Sequence, residues 1–452
     1  MLETLHTTLA FIVAISLLIA VHEYGHFIVA RKLGIKVEKF SIGFGPALIS
    51  WRSRDGEVQY IIAAIPLGGY VKMLGENPSE QGEDTEQPLS DEERLRAFDV
   101  QPPWKRASVA VAGPLFNFFF AILAYMLIGW IGQLVVPPVI GNISPASVAE
   151  QSGMLEGDII RTLNGSPVHS WSQVEEKMKQ VAGNSAVMEV DRNGTVIPLG
   201  FHLSPTEQDV LLVNVSETAL GISPGVKVVI DSVAVNSAAK QGGVLPGDHI
   251  FQVQDEPVTN IRELIEIIRS RAGEVVFFQV QRGETILNLS VIPAVDDSGY
   301  GRIGVRLAAS PIHEPVMYRM GVVEGLFFGF KRTWEMTTMT IQVLGKMVTS
   351  AISPENLGGP IAIAQLAGKT AELGLIAFMS FLALISVNLA VLNLLPVPVL
   401  DGGHLVYIAL EKVRGKPLSP TTMERTQIIG ISLIVMLMLF AFYNDLLRLF
   451  RG

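Results

Sequence analysis

A glutamate between two histidines stands near the end of the chain's first apolar run. In "VHEYGHFIVARK" (residues 21–32), His22 and His26 are four residues apart, so on a helix both imidazoles face the same side and can share one metal ion. Glu23 lies beside the open coordination position, where a carboxylate can take a proton from water and return it to a leaving amine. Because neutral imidazole suits zinc, the spacing predicts one zinc ion per chain with Glu23 as the catalytic base.

A catalytic zinc normally has three protein ligands, and "NLLPVPVLDGGH" (residues 393–404) offers the third. Its prolines break a helix, which is tolerated at membrane depth only where the backbone lines a cavity or is packed in protein. Asp401 and His404 are both candidates, with Asp401 preferred because His404 is expected to lie further out. Asn388 and Asn393 precede them in the same run; they either join helices or hold a substrate carbonyl.

The composition indicates a membrane protein. Of 452 residues, 49% are hydrophobic and 17% are charged, whereas soluble domains carry about 25% charged residues. A net charge of −9 argues against a nucleic-acid-binding protein. The absence of cysteine excludes disulfides and thiolate metal sites.

Four apolar runs are long enough, or nearly so, to span a bilayer, which takes about 20 helical residues. The first lacks a basic leader and a small-residue cleavage site, so we expect a retained helix and not a signal peptide. The runs lie at about 7–30, 107–136, 373–400 and 426–447.

The distribution of lysine and arginine predicts the orientation. Residues 31–106 hold eleven of these cations and residues 401–426 hold four. By the positive-inside rule both segments are cytoplasmic, and both termini and residues 137–372 lie outside. The histidine pair is therefore expected near the cytoplasmic side, just inside the border marked by Arg31 and Lys32.

The region between the second and third runs repeats with a period of 90 residues. "SPASVAEQSGMLEGDIIRTLNGSPV" (144–168) aligns without a gap with "AVNSAAKQGGVLPGDHIFQVQDEPV" (234–258). Each copy continues into an amphipathic helix and alternating strands, and about 90 residues can bury their own core. The pattern resembles PDZ domains, which bind chain ends at a sheet edge.

Two short segments are candidates for the loops that receive a peptide carboxylate. They are "LGI" (220–222), with Gly221 and Ile222, and "IGV" (303–305), with Gly304 and Val305. Backbone N–H groups in such loops bind the carboxylate of a peptide C-terminus. The alternative is that these glycines form ordinary turns at strand ends.

We expect a polytopic α-helical membrane protein with about four transmembrane helices, a β-hairpin element and two tandem extracytoplasmic PDZ domains of α+β type. The β element at about 40–73 includes "GEVQYIIAAIPLGGYVKM", which has the pattern of strands with a Pro/Gly break. The predicted division is 1–136 first part of the membrane catalytic core, 137–222 first PDZ domain, 223–310 second PDZ domain, 311–372 periplasmic amphipathic helix and connector, and 373–452 second part of the core.

Together, a first-span HExxH, a later-span NxxPxPxLDG and PDZ insertions resemble the site-2 protease family of intramembrane zinc metalloproteases. "SIGFGP" (41–46), "IPLGGYVKM" (65–73) and "AGPLFN" (112–117) extend the resemblance along the chain. It implies that His22, His26 and Asp401 bind zinc and that Glu23 is the catalytic base. It also favours Asn388 and Asn393 as substrate contacts. It further implies a membrane-associated β-hairpin element that meets the substrate, where Gly68, Gly69 and Tyr70 are the candidates.

The resemblance implies an endopeptidase of the bacterial inner membrane that cleaves single-span membrane proteins in an envelope stress response. The expected substrates are an anti-sigma factor already trimmed outside and remnant signal peptides. The PDZ pair either excludes bulky ectodomains or binds new C-termini. Two other functions remain open at this point: a non-catalytic PDZ scaffold or chaperone, which the intact Glu23 argues against, and a metal transporter. A transporter would need several acidic or histidine positions along the spans, and residues 107–136 and 428–443 contain none.

Overall fold

The structure is a computed structural model that describes residues 2–76, 90–181, 183–204, 214–258, 261–296, 299–349, 358–416 and 418–451. The chain forms two compact units, Met1–Gln133 with Arg319–Gly452, and Leu134–Tyr318. The helices are α1 (Leu2–Lys32), α2 (Asp91–Leu95), α3 (Pro103–Ile131), α4 (Val148–Gln151), α5 (Trp171–Val181), α6 (Ala238–Gln241), α7 (Ile261–Ser270), α8 (Val322–Val348), α9 (Pro360–Glu372), α10 (Leu375–Asn393), α11 (Asp401–Arg414) and α12 (Pro420–Arg451).

The strands are short apart from the first two, and a π-helical turn covers Ser216–Leu220. They are β1 (Val37–Arg52), β2 (Gln59–Met73), β3 (Gln133–Val135), β4 (Asn142–Ile143), β5 (Ile159–Leu163), β6 (Ser166–Pro167), β7 (Ser185–Arg192), β8 (Thr195–His202), β9 (Ile222–Ser223), β10 (Val226–Val233), β11 (His249–Val253), β12 (Glu256–Pro257), β13 (Val276–Arg282), β14 (Thr285–Val291), β15 (Ala294–Val295), β16 (Gly301–Arg302), β17 (Val305–Pro311) and β18 (Val316–Tyr318).

Within the described residues, four helices are long and apolar enough to cross a membrane. They are α1, α3, α10 and α12, so the four predicted spans are found. Two of their predicted ends are wrong. The span placed at 107–136 ends at Ile131, because Gly132 leaves the helix with φ 100°. The span placed at 373–400 ends at Asn393, and residues 401–414, which belong to the segment predicted to be cytoplasmic, form α11.

Helix α3 lies at the centre of the first unit, in contact with α1, α8, α10 and α11. Small residues allow close packing between α3 and α10. Ala121 and Ala124 of α3 are buried in one cluster with Ala383 and Val387 of α10. Small side chains let helix backbones approach in lipid, where no hydrophobic force drives helices together. This packing brings the helices that carry the polar motifs side by side.

Helix α8 is the predicted amphipathic helix, and it packs lengthwise against α3 and α10. Gly329 lies so close to α3 that a Cβ there would be 2.5 Å from the carbonyl oxygen of Ile122. With Lys331, Arg332 and Glu335 on other positions, α8 is not among the four candidate spans of the described residues. Its assignment to the outer side of the membrane stays a prediction.

The predicted β element is a sheet made by β1 and β2. Lys39 pairs with both Lys72 and Gln59, so the first part of β1 lies between the two halves of β2. Tyr60 pairs with both Phe40 and Trp51, so the last part of β1 lies on the far side of the first half of β2. The resulting order is 47–52, 59–63, 37–42, 69–73, which leaves residues 69–73 at one edge.

The second unit contains two similar halves, each with its own buried core. The first repeat runs from β4 to β9 and has a sheet of order β6-β5-β7-β8, with β4 paired to β9. The second repeat runs from β10 to β17 and has a sheet of order β14-β13-β11-β10-β17, with β12 on β11. Together with the four candidate spans, this confirms the predicted α+β membrane fold class.

A buried ion pair recurs at equivalent positions of the two repeats. Arg192 donates to both carboxylate oxygens of Asp158 over 2.8 and 2.7 Å, and Arg282 does the same to Asp248 over 2.7 and 2.8 Å. Each aspartate is almost completely buried, at 1% and 0% exposure. Charges this buried are stable only when paired and hydrogen-bonded, so the "GD" of each repeat has a structural role.

Candidate functional site

The two histidines meet on one face of α1, because residues four apart on a helix lie one above the other. Their Nε2 atoms are 3.2 Å apart, and the rings are edge to face with centroids 4.8 Å apart. His26 is 9% exposed, and its Nδ1 donates to the carbonyl oxygen of Val109 over 2.8 Å. That bond places the proton on Nδ1, so the Nε2 lone pair of His26 is directed at the shared centre.

Asp401 reaches the same centre from the other half of the chain. After α10 ends, a non-helical stretch with Val399 at φ 86° leads to Asp401, the first residue of α11. Gly403 makes this turn possible, because a Cβ there would lie 2.4 Å from the carbonyl oxygen of Val397. The carboxylate lies 3.2 Å from His22 Nε2 and 3.4 Å from His26 Nε2.

The donor set fits a zinc ion. The ligand atoms of His22, His26 and Asp401 all lie within 4.8 Å of one another, and two imidazoles with one carboxylate leave a fourth position open, as catalytic zinc requires. The Oδ2 of Asp401 is buried without a hydrogen-bond partner among the described residues, although it is close to His22. Two imidazole nitrogens and a carboxylate converge at 3.2–3.4 Å, so these three side chains could together hold a cation.

Glu23 lies in the wall of the same cavity and packs against the sheet. A Cβ added to Gly69 would lie 2.8 Å from Glu23 Cγ, so only a glycine allows the strand to approach this side chain. The cavity is lined by residues of α1, β2, α3 and α11 together with Asn393 and other residues. The lining includes His22, Glu23, His26, Gly69, Tyr70, Asp401 and His404. One cavity therefore joins the acid, the candidate metal ligands and the edge of the sheet.

The two asparagines of α10 lie in different surroundings. The Nδ2 of Asn393 is 3.2 Å from His22 Nε2, and Asn393 lines the cavity. Asn388 instead accepts a hydrogen bond from Thr340 Oγ1 of α8 over 2.8 Å, which is the helix-joining role considered as an alternative. The substrate contact of Asn388 stays a prediction.

The predicted sheet residues divide in the same way. Gly69 and Tyr70 line the cavity. Gly68 lies under the ring of Phe44, where a Cβ would overlap the ring at 1.9 Å, and Phe44 also stacks on Tyr70 at 6.3 Å. Gly68 thus shapes the strand, and its predicted contact with substrate is untested.

His404 lies one helical turn beyond Asp401. It lines the cavity, but the metal-ligand group found in the described part of the chain contains only His22, His26 and Asp401. The geometry therefore favours Asp401 over His404 as the third ligand, in line with the preferred sequence interpretation.

The candidate carboxylate loops lie in the second unit. Gly221 (φ 85°) ends the π-helical turn and Ile222 begins β9, while Gly304 (φ 74°) precedes Val305, the first residue of β17. Both glycines have positive φ, which favours glycine over other residues. Their role in peptide binding stays a prediction.

Sequence reasoning overlooked three residues of α3 that border the histidines: Val109, Gly113 and Asn117. Asn117 is fully buried, and its Nδ2 lies 3.3 Å from His22 Nδ1. The available signal was their spacing of four residues, the same as that of the histidines. It has meaning only once α1 and α3 are known to be neighbours.

Comparison with known proteins finds relatives that match nearly the whole chain. The chain is 37% identical to the regulator of sigma-E protease RseP of Salmonella typhimurium and 36% identical to that of Escherichia coli, with 99% of this chain and 100% of each relative covered. It is also 37% identical to a protein of Pasteurella multocida described as a candidate zinc metalloprotease, over 97% of this chain and 98% of that relative.

Among solved structures, a PDZ domain of an SdrC-like protein from Listeria monocytogenes covers 19% of this chain and 90% of its own length, at 23% identity and a TM-score of 0.17. The sequence profile of peptidase family M50 matches residues 10–437. With relatives above 30% identity over nearly the whole length, this match makes the chain a member of peptidase family M50, the site-2 metalloproteases.

Proposed function

We propose that this metalloprotease is an intramembrane endopeptidase that cleaves single-span membrane proteins, with one zinc ion held by His22, His26 and Asp401. The observation that carries the proposal is the convergence of these three residues beside Glu23 in a cavity bordered by the 69–73 edge of the sheet. Ionisable groups inside membrane helices are costly unless they serve a function, which supports a catalytic role.

The chain's own residues supply proton transfer and positioning. When bound, zinc polarises a carbonyl and lowers the pKa of its water. Glu23, in the cavity wall, takes the proton from the attacking water and delivers it to the leaving amine nitrogen. The amide of Asn393, 3.2 Å from His22 Nε2, is placed to donate a hydrogen bond to the substrate carbonyl as negative charge develops on it.

The edge of the sheet can supply hydrogen-bond partners to a substrate helix that has unwound. A transmembrane helix must unwind before its peptide bonds can be attacked, and the exposed N–H and C=O groups then need partners in apolar surroundings. Residues 69–73 pair with 37–42 on one side, and Gly69 and Tyr70 face the cavity. We infer that the unwound segment adds to this edge as a strand, which presents a peptide bond beside Glu23.

We place the site near the cytoplasmic face of the bacterial inner membrane. Helix α1 ends with Arg31 and Lys32, and at 1.5 Å per residue the two histidines lie roughly 8–14 Å inside that border. A polar cavity at this depth gives water a short path from the cytoplasm. The termini and the second unit would then lie in the periplasm.

The substrate we propose is an anti-sigma factor that another protease has already trimmed on the periplasmic side, with remnant signal peptides as a second class. The similarity to proteins described as regulators of sigma-E protease supports the first. The second unit would select trimmed proteins, either by excluding bulky ectodomains or by binding new C-termini. For the latter, β17 is a seven-residue edge strand preceded by Gly304 at positive φ.

The experiment compares Glu23→Gln with Glu372→Gln, a control at an exposed residue of α9, on a single-span reporter in membranes. We expect Glu23→Gln to lose cleavage by 10²-fold or more, roughly the contribution of a general base, and to keep its zinc. His22→Ala should lose both cleavage and zinc. Undiminished cleavage by Glu23→Gln, or full zinc content in His22→Ala, would contradict the proposal.

A further inference from the structure

We propose that Asn117 is a positioning residue that holds His22 in the one tautomer able to bind a metal through Nε2. This inference rests on the proposed ligand set. It adds a residue of α3 that positions one of the ligands without binding the metal itself. Its basis is a matched pair of spacings: His22 and His26 on α1 face Val109, Gly113 and Asn117 on α3, all at intervals of four residues.

The middle residue explains why the two helices can approach so closely. A Cβ at Gly113 would lie 2.2 Å from His26 Nε2 and 2.7 Å from His22 Cε1. Any side chain there would push both rings away from Asp401. The rings are therefore seated against the α3 backbone, and each Nδ1 meets a polar group of α3, one turn to either side of Gly113.

The two Nδ1 contacts differ in what they impose. For His26, the carbonyl oxygen of Val109 can only accept, so Nδ1 carries the proton and Nε2 is free for a ligand bond. For His22, Nε2 also faces the centre, 3.2 Å from both His26 Nε2 and the Asp401 carboxylate. Its Nδ1 must then carry the proton as well, and it needs an acceptor.

Asn117 can supply that acceptor. Its Nδ2 is 3.3 Å from His22 Nδ1, and its Oδ1 is buried without a hydrogen-bond donor among the described residues. A half-turn of the amide about the Cβ–Cγ bond exchanges the two atoms and gives Oδ1 the Nδ1–H as donor. A buried acceptor without a donor is costly, so the metal-binding tautomer of His22 and the half-turned amide of Asn117 favour each other.

Asn117 also contacts α10, through its backbone. Ser386, fully buried, donates from Oγ to the backbone carbonyl oxygen of Asn117 over 2.9 Å. This bond holds the α3 backbone and does not involve the amide side chain. Ser386 therefore offers a matched control: its loss perturbs the same helix contact but leaves the group that faces His22.

The test measures zinc affinity of the purified full-length protein in detergent by competition with a chromophoric chelator, with the absorption spectrum of bound Co²⁺ as a second readout. Asn117→Ala should lower zinc affinity 10- to 100-fold, the usual effect of losing the hydrogen-bond partner of a ligating histidine, and alter the Co²⁺ spectrum. Asn117→Asp, which keeps an acceptor oxygen, should bind within about threefold of wild type, and Ser386→Ala should match wild type.

The outcomes separate this inference from the proposed function. If His22→Ala loses zinc but folded Asn117→Ala binds it normally, the role of Asn117 is wrong and the ligand set stands. If His22→Ala binds zinc normally, both are wrong. Should Asn117→Ala fail to fold, Asn117→Asp decides: a loss above tenfold overturns the inference, as does an equal loss in Ser386→Ala, which would point to packing alone.

Discussion

The two repeats of the second unit share an interior and differ at one edge. Asp158 and Asp248 each accept two bonds from an arginine of a neighbouring strand, and the backbone N–H of Leu155 or Leu245 adds a third over 2.9 or 2.8 Å. The edges are unlike: β17 has seven residues, whereas the equivalent β9 has two. The two repeats thus share the buried ion pair that stabilises their cores, and they differ in the length of the edge strand with which a peptide could pair.

The edge strand β9 of the first repeat is short because the chain continues directly from it into the second repeat. After β9 the chain must turn at Pro224 and Gly225 (φ 66°) to begin β10. The turn is packed tightly, since a Cβ on Gly141 would lie 2.2 Å from the Pro224 carbonyl oxygen. In the first repeat the edge strand is therefore short, because the chain turns there to enter the second repeat. We expect only the second repeat to bind peptides by strand addition.

The largest effect should come from the shared buried pair. Asp158→Asn and Asp248→Asn keep the side-chain shape but remove the charge that the arginine pairs with. We expect each to cost about 2 kcal/mol, the usual loss for hydrogen bonds to a charged group, and only within its own repeat. Hydrogen exchange of the full chain should show about 30-fold faster exchange in β7 or β13 respectively.

If one substitution speeds exchange in both repeats, the two cores are not independent and the comparison fails.

The pH dependence of stability gives a second test for Asp248. Burial alone would raise the pKa of this carboxyl, but hydrogen bonds from Arg282 and the Leu245 N–H outweigh it and hold the pKa below its usual range. Stability from this pair is therefore full above pH about 4 and falls as the pH drops through the lowered pKa. Asp248→Asn should lack this acid sensitivity.

The next effect concerns the two glycines with positive φ. Gly304→Ala and Gly221→Ala introduce the same strain, with Cβ atoms 2.5 Å from Ser237 Cβ and 2.3 Å from Ser147 Cβ. We expect Gly304→Ala to weaken binding of a pentapeptide with a free C-terminal valine about tenfold, or roughly 1.4 kcal/mol. Gly221→Ala should leave that affinity unchanged.

Fluorescence anisotropy with a labelled peptide measures both, and the same peptide with an amidated C-terminus is the control. Equal losses of affinity in the two variants would show that both repeats bind the peptide, which would contradict the expectation that only the second repeat does so. No binding by wild type would leave size exclusion as the function of the second unit.

The smallest effect concerns the short helices α4 and α6. Both are capped by serine, through Ser147 Oγ and Ser237 Oγ. In the first repeat Glu150 also accepts from the Ala146 N–H over 2.6 Å, and Lys240 stands at the matching position of the second. Glu150→Lys should cost the first repeat about 0.5 kcal/mol, and Lys240→Glu should gain the second a similar amount. Hydrogen exchange in α4 and α6 measures both.

Local patterns predicted much of this molecule. The spacing of His22 and His26 and the four apolar runs are properties of residues close together in the chain, and the 90-residue repeat is a similarity between two stretches of sequence. All three can therefore be recognised without knowing which elements touch. The prolines suggested the turn that brings Asp401 to the histidines. The preference for Asp401 over His404 as the third ligand needed the position at which α11 begins.

What the sequence did not reveal depends on which helices touch. Asn117 meets His22 only because α3 packs on α1, and Thr340 meets Asn388 only because α8 packs on α10. Side chains of this kind satisfy a partner that is far away in the chain, and single-sequence periodicity carries no such information. The ends of α3 and α10 were misplaced because apolar composition continues past the residues that end each helix.

The wide separation of the ligand residues has a consequence for biosynthesis. On the proposed ligand set, the histidine pair enters the membrane with α1, whereas Asp401 is made only near the end of the chain. At roughly 5–20 residues per second, the interval is tens of seconds. A growing chain can therefore hold no complete centre, and we expect a version truncated before α11 to bind no zinc tightly. The protease would stay harmless to neighbouring membrane proteins throughout its own insertion.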